Sequence, residues 1–167
     1  MSLRVENLRA KHGTPSERAQ NKITDFLAAD VAEFIQQSPF AVLSTADSEG
    51  NCDASPRGGK PGFVKIIDSK TLLMPDIRGN RILQSTSNIT SNPKLGLVFF
   101  IPGNNNSVRV NGSVQFLDIE DIKELGVNND VFNPDETTEM IQGLLISVDE
   151  AYRHCPRALS FSNLWNL

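Results

Sequence analysis

Basic side chains are concentrated between residues 57 and 81, in a chain of 167 residues with a net charge of −4. This stretch holds six of the sixteen lysines and arginines and only two acids, so it carries +4 and the rest carries −8. The six are Arg57, Lys60, Lys65, Lys70, Arg78 and Arg81. Because lysine and arginine pair with oxyanions, this stretch is a candidate site for an anionic ligand.

Residues 53–62 are the first segment there with the residue types of a binding loop. Ser55 and Arg57 are followed by Gly58, Gly59 and Lys60. A hydroxyl and a guanidinium beside glycines can hold a flat, polar-edged ligand or a phosphate, because glycine lets the backbone approach closely. A glycine-rich hairpin with a solvated arginine explains the same residues, and on this segment alone we favour it.

Residues 73–89 form the second segment, in which a strand leads through a glycine turn into a helix. The pattern predicts that the helix begins at Asn80, with Arg81 in its first turn and Arg78 just before it. Free backbone N–H groups and the positive end of the helix dipole make such a position a natural phosphate site. A helix cap with surface charge is an equally good interpretation.

Other polar residues give weaker signals. Arg109 and Asn111 alternate with valines in a predicted strand, and such side chains usually face solvent. Trp165 is the single tryptophan, and a tryptophan in this position more often anchors a terminus or a partner than it contacts a cofactor.

Only His12 and His154 could serve as histidine ligands, so we expect no metal site. Nucleophile-elbow, P-loop, zincin and Rossmann motifs do not occur, which leaves a bound cofactor as the expected reactive centre.

The composition is that of one soluble globular domain, with 39% hydrophobic and 22% charged residues. The N-terminal residues lack the apolar core of a secretory signal, and the longest apolar stretch, 95–101, is far too short to cross a bilayer. We therefore expect a cytoplasmic protein with no membrane partner. The negative net charge argues against nucleic acid as a partner.

The periodicity predicts a mainly β domain with flanking helices over residues 23–167, preceded by an N-terminal arm over residues 1–22. A stripe of apolar residues predicts a helix over 26–37, and two more helices are expected over 80–91 and 149–155. Strands are expected over 40–45, 51–57, 63–67, 71–74, 95–101, 107–117 and 141–148. Many short strands joined by tight turns indicate a closed or nearly closed antiparallel barrel.

These segments, taken in order, resemble the FMN-binding split β-barrel family of pyridoxamine 5'-phosphate oxidase-like proteins. The resemblance runs from about residue 23 to residue 165. It is carried by Ser-Pro-Phe at 38–40, Ser-Pro-Arg-Gly-Gly at 55–59, Arg-Gly-Asn-Arg at 78–81 with Asn88-Ile89, Ile-Pro-Gly at 101–103, Arg-Val-Asn-Gly at 109–112, and Glu-Ala-Tyr-Arg-His-Cys-Pro at 150–156.

The resemblance implies FMN bound in a groove between the two subunits of a homodimer. It places Ser55 and Arg57 near the ribityl chain and phosphate, and Asn80 and Arg81 at the phosphate. Gly58, Lys60 and Arg78 belong to the same two segments. Asn88 and Arg109 match positions beside the flavin, whereas His154 and Trp165 are expected to reach it from the second subunit.

The resemblance also leaves alternatives open. Pyridoxamine-phosphate oxidases end in an Arg-Leu-x-Pro segment, which the residues from Ser162 onward do not match, so vitamin B6 oxidation is not expected. The first hypothesis is an FMN-dependent oxidoreductase that uses a small-molecule substrate or reduced nicotinamide, with no catalytic residue assigned. The second is a non-catalytic flavin-binding or redox-sensing module. A relative that binds haem or a deazaflavin is the third.

Overall fold

A computed structural model describes residues 2–128, 130–132 and 138–165 of the chain. Seven antiparallel strands form one sheet in the order β2-β1-β5-β6-β7-β4-β3. They are β1 (Phe40–Ala46), β2 (Cys52–Gly58), β3 (Lys65–Asp68), β4 (Thr71–Ile77), β5 (Lys94–Phe100), β6 (Ser107–Leu117) and β7 (Met140–His154). The expected mainly β fold is confirmed.

Six helices flank the sheet within the described residues. They are α1 (Leu3–His12), α2 (Glu17–Asn21), α3 (Ala29–Gln37), α4 (Gln84–Ser91), α5 (Ile119–Glu124) and α6 (Arg157–Ser162). Helix α3 packs Val31, Phe34 and Ile35 into the core, as their spacing predicted. None of the helices in the described part of the chain is long and apolar enough to span a membrane.

The sheet curls around the larger of two hydrophobic clusters among the described residues, and the smaller one contains Leu73, Leu117 and Ile122. Alternate side chains of β1, β4, β5, β6 and β7 are buried in a single cluster, which includes Leu43, Met74, Leu97, Val110 and Ile146. The alternation arises because successive side chains of a strand point to opposite faces of the sheet. The two ends of the curled sheet, β2 on one side and β4 with β3 on the other, share no strand pairing, which leaves the barrel split.

Several element boundaries differ from those expected from the sequence. The predicted helix over 149–155 is wrong, because β7 continues to His154 and pairs with β6 beyond a bulge at Asp149. Backbone hydrogen bonds between Thr24 and Ala151 also hold this part of β7 extended. Helix α3 begins at Ala29 rather than residue 26, since the Leu27 N–H already donates to the Ser69 carbonyl.

The start of α4 is a further difference. The helix begins at Gln84, not at Asn80. The Asn80 side chain accepts a hydrogen bond from the Ile82 N–H, and Arg81 and Leu83 both have a positive φ, at 65° and 54°. Because left-handed residues cannot continue a right-handed helix, the helix starts only after Leu83.

The arm over residues 1–22 contains α1 and α2, and neither helix buries a residue. At the end of the arm, the Lys22 ammonium lies 5.1 Å from the centre of the Tyr152 ring. Thr24 then pairs with Ala151.

Candidate functional site

A groove of about 470 Å³ lies over the split of the barrel. Its walls are β2, the end of β4 and the segment 78–86, which leads into α4. Small-molecule and cofactor sites usually occupy clefts of roughly 300–1,000 Å³, so the groove has the size of a cofactor site. Six of the eleven cofactor-binding residues expected from the sequence line it: Ser55, Arg57, Gly58, Arg78, Asn80 and Arg81.

An ion pair joins the two ends of the sheet at the floor of this groove. Arg57 of β2 donates from Nη1 to Oδ1 of Asp76 on β4 at 2.5 Å, and both side chains are largely buried, with 21% and 7% exposed. The other carboxylate oxygen of Asp76 accepts a hydrogen bond of 2.9 Å from the Gln142 amide. Side chains thus bridge the split that the backbone leaves open.

The Gln142 amide also donates to the Thr86 hydroxyl at 3.2 Å, and so connects the floor to α4. A second bridge runs from the Ser85 hydroxyl to Oδ2 of Asp53 on β2, at 2.8 Å. Both carboxylates that line the groove are therefore engaged with neighbouring side chains.

The arginines at the rim differ in their pairing. Arg78 forms an ion pair of 2.7 Å with Glu139, in which both side chains are about half exposed. Arg81 is exposed and has no ion-pair or hydrogen-bond partner among the described residues. It lies three residues before α4, whose first turn contains no acid and whose N-cap residue, Leu83, supplies no side-chain cap. Within the described part of the chain, the rim therefore presents an unpaired guanidinium close to an uncapped helix start, which favours an anion.

Apolar side chains complete the lining. They include Pro56, Pro75, Ile77, Phe132 and Ile141. Such surfaces pack against a flat aromatic ligand, because burying apolar area from water is favourable. The groove thus combines a charged rim with apolar walls.

Lys60 lies outside the groove, although it belongs to the same loop as Arg57. The Lys60 ammonium pairs with Asp130 at 2.8 Å and lowers the pKa of that carboxyl below its ordinary value of 3.8. The backbone N–H of Lys60 donates to the Val131 carbonyl. The neighbouring Gly59 is needed for this packing, since a Cβ there would lie 2.6 Å from the Val131 oxygen. Gly59 therefore has a packing role in this loop.

Asn88 is buried under the groove and does not line it. Its amide donates to the Thr45 hydroxyl at 3.1 Å, and its oxygen accepts from Gln84. These contacts tie α4 to β1. Within one chain, Asn88 therefore positions the helix that forms the groove wall.

Arg109, His154 and Trp165 form a separate group near the start of β6 and the end of β7. Arg109 lies 3.2 Å from the Tyr152 hydroxyl, and the rings of Tyr152 and His154 are 6.3 Å apart. Trp165 donates from its indole to the Asn104 carbonyl at 3.0 Å. The structure does not bring these three residues to the groove of their own chain.

Sequence reasoning missed several groove residues, of which Asp76 is the most informative. The strand was expected to end at residue 74, before Pro75, whereas β4 continues to Ile77 and pairs Asp76 with Gln142 of β7. Proline usually interrupts a strand, so no local signal placed Asp76 on the sheet. Phe132 and Ile141 were missed because only the tertiary fold brings them to β2.

Comparison with known families identifies the fold and the lineage of the chain. The family model described as pyridoxamine 5'-phosphate oxidase matches residues 27–138, about two thirds of the chain. The chain belongs to this family. No curated protein matches it. The matched residues contain all the groove residues on β2, β4 and α4.

Several solved structures share the fold at low sequence identity. HupZ from Group A Streptococcus is 16% identical with a TM-score of 0.55, and the match covers 75% of this chain and 92% of HupZ. A candidate pyridoxamine 5'-phosphate oxidase from Lactobacillus delbrueckii is 17% identical, with a TM-score of 0.56 and coverage of 77% and 95%. A Clostridium acetobutylicum protein related to general stress protein 26 is 16% identical, with a TM-score of 0.51 and coverage of 75% and 87%.

Proposed function

We propose that the groove binds FMN and that the protein is an FMN-dependent oxidoreductase of this family. The observation that carries the proposal is the Arg81 guanidinium, which has no partner among the described residues and lies beside the uncapped start of α4, at the rim of a groove with apolar walls. FMN has a dianionic phosphate and a flat ring. The phosphate matches the charged rim of the groove, and the flat ring matches its apolar walls.

The polar groups of the groove fit such a ligand. Arg57 Nε is buried and has no hydrogen-bond partner in the structure. A buried donor without an acceptor is costly, and an oxygen of a molecule bound in the groove would satisfy it. The hydroxyls of FMN can supply it, and Ser55 on the same strand adds a further polar contact.

The division of roles follows from these contacts. Arg81 holds the phosphate, Arg57 and Ser55 orient the chain that carries it, and Phe132 and Ile141 exclude water from the ring. Asp53 and Asp76 are engaged within the protein, so neither is a free general base. When bound, FMN supplies the acceptance and donation of electrons.

We propose that the working unit is a homodimer. Ile82, Leu83 and Ile141 line the groove with 70%, 50% and 38% of their surface exposed, and Phe161 and Leu164 near the end of the chain are also exposed. Pairing of two copies is the commonest way to cover such surfaces. In this arrangement Arg109, His154 and Trp165 complete the partner's groove.

The engaged carboxylates also favour the second candidate, a flavin-binding module without turnover. Anaerobic mixing of the FMN-loaded protein with NADH or NADPH, followed by readmission of an electron acceptor, separates the two. Rapid bleaching of the flavin and repeated reoxidation support the oxidoreductase. Slow bleaching by both nucleotides, with no acceptor that restores turnover, would support the module.

A further inference from the structure

The charges that line the groove are segregated between its floor and its rim. The floor strands β2 and β4 contribute one cation, Arg57, and two acids, Asp53 and Asp76. The rim segment contributes two cations, Arg78 and Arg81, and no acid to the lining. An anion therefore meets repulsion at the floor and attraction at the rim.

Pairing sharpens this difference. Arg57 is neutralised by Asp76, whose carboxylate is 93% buried and held in place by Gln142. Arg78 is neutralised by Glu139. Arg81 is the one arginine of the groove lining whose charge no described carboxylate compensates.

Arg57 nevertheless keeps hydrogen-bonding capacity. Asp76 uses Nη1, while Nε is buried and without an acceptor. A neutralised guanidinium of this kind suits an uncharged oxygen, because a second full negative charge near Asp76 and Asp53 would be repelled.

We propose that Asp76 determines specificity: by neutralising Arg57 it assigns Arg57 to the uncharged, hydroxyl-bearing part of the ligand and leaves phosphate recognition to Arg81. The inference rests on the proposed FMN site. Asp76 is a positioning residue in this scheme, since it acts through Arg57 and through the field of the groove floor.

The test measures the dissociation constants of FMN and riboflavin for each variant by quenching of flavin fluorescence. The readout is the preference for FMN, defined as the riboflavin constant divided by the FMN constant. We expect Asp76→Asn to raise this preference by roughly tenfold, because Arg57 becomes a second uncompensated cation. We expect Arg57→Gln to lower the preference for FMN, because Asp53 and Asp76 then remain at the floor without a cation.

The double variant Arg57→Gln/Asp76→Asn is the decisive arm, since it replaces the ion pair by a neutral hydrogen-bonding pair. We expect its preference for FMN to equal that of the wild type. A preference that falls sharply in the double variant would overturn the inference, because Arg57 would then be a phosphate ligand. The double variant leaves no unpaired buried charge, so it tests the inference even if a single variant fails to fold.

Asp149→Asn is the matched control. It removes the same charge from an exposed ion pair with Lys94, outside the groove, and leaves the preference unchanged. If Asp76→Asn and Arg57→Gln weaken both ligands by one common factor, the pair only shapes the pocket and the inference is wrong.

Inorganic phosphate separates this inference from the proposed function. If the wild-type protein binds neither flavin, the proposed FMN site is wrong. The phosphate affinities of the variants can still be compared by the thermal shifts that inorganic phosphate produces. We expect a larger phosphate-induced shift in Asp76→Asn than in the wild type, and a smaller one in Arg81→Ala. Equal shifts in all three proteins would overturn the inference.

Discussion

Arg81 has a backbone conformation that few residues adopt, and this conformation sets the direction of its side chain. Its φ of 65° belongs to the left-handed region, where a non-glycine residue is unusual. Such residues cluster at ligand sites, where the surrounding structure maintains the strain. Here the turn 78–83 delays the start of α4 and places Arg81 on the groove rim.

Replacing Arg81 by alanine is expected to weaken FMN binding by about ten- to a hundredfold, because hydrogen bonds to charged groups contribute roughly 1.5–3 kcal/mol. Riboflavin lacks the phosphate, so its affinity barely changes. The preference for FMN in the wild type also declines as salt is added, since part of it is electrostatic. Titrations of both flavins into the two proteins measure these effects.

Lys60→Ala is the matched control for Arg81→Ala. It removes a cation that belongs to the same basic stretch but pairs with Asp130 away from the groove. FMN affinity should remain at the wild-type value. If Arg81→Ala weakens FMN and riboflavin equally, Arg81 supports the shape of the pocket and the phosphate lies elsewhere.

Residue types alone could identify the segments that form the groove but not the contacts within it. The basic stretch and the glycine loop were visible in the sequence, and Arg57, Arg78 and Arg81 do line one groove. Their pairing was not visible, because Asp76 and Glu139 reach them only through strand order and the loop before β7. Charge in the sequence therefore indicated which arginines line the groove, but not which of them lacks a partner among the described residues.

At the scale of elements, the hairpin between β1 and β2 shows how one side chain fixes a turn. Asp47 accepts hydrogen bonds from the N–H groups of Glu49 and Asn51 and from the Asn51 amide. The bonds from Asn51 are the main cause of a pKa below the ordinary 3.8 for this carboxyl. The turn positions β2, which carries Ser55 and Arg57.

Asp47→Ala is expected to lower Tm by a few degrees near neutral pH. Because the folded-state pKa is depressed, the contribution of Asp47 is complete above pH 3.8 and is lost as the pH falls through the folded-state pKa. The difference in Tm between the two proteins should therefore shrink in acid. Thermal melts followed by circular dichroism across this range measure it.

Asp47→Asn keeps the acceptor and removes the charge, so it separates hydrogen bonding from electrostatics. We expect an intermediate Tm near neutral pH. A deficit in Asp47→Ala that stays constant into acid would show that the carboxylate charge does not stabilise the turn.

The strands were predictable because burial on one face imposes a period of two, and the bounds of β6 match the expected 107–117. The end of β7 was not predictable, because residues 149–155 have a helix-like pattern. Pairing with β6 and with Thr24 overrides this pattern. The start of α4 was misplaced for a related reason. Two left-handed residues, which leave no simple sequence signal, precede it.

At the scale of the whole molecule, the proposed homodimer would cover the split of the barrel and the exposed apolar residues around it. We expect light scattering to give a mass near twice that of the 18.4 kDa chain. In the proposed dimer, the protein–protein contact would bury surface that one chain leaves exposed. A mass of one chain, measured with cofactor bound, would contradict the homodimer.

Removal of residues 163–167 tests whether the end of one chain serves the groove of the other. We expect the truncated protein to retain FMN less well during gel filtration, because Trp165 no longer covers the partner's groove. Trp165→Phe keeps an aromatic ring but loses the hydrogen bond to Asn104, and so isolates the anchoring role. Unchanged FMN retention in the truncated protein would show that Trp165 anchors only its own terminus.

The most direct test of the FMN site is the absorbance spectrum of the purified, untreated protein, combined with identification of the released chromophore. We expect the two visible bands of an oxidised flavin and about one FMN per chain after reconstitution. A haem Soret band or a deazaflavin spectrum would assign the groove to another cofactor. A colourless protein that takes up no FMN on reconstitution would contradict the proposed function.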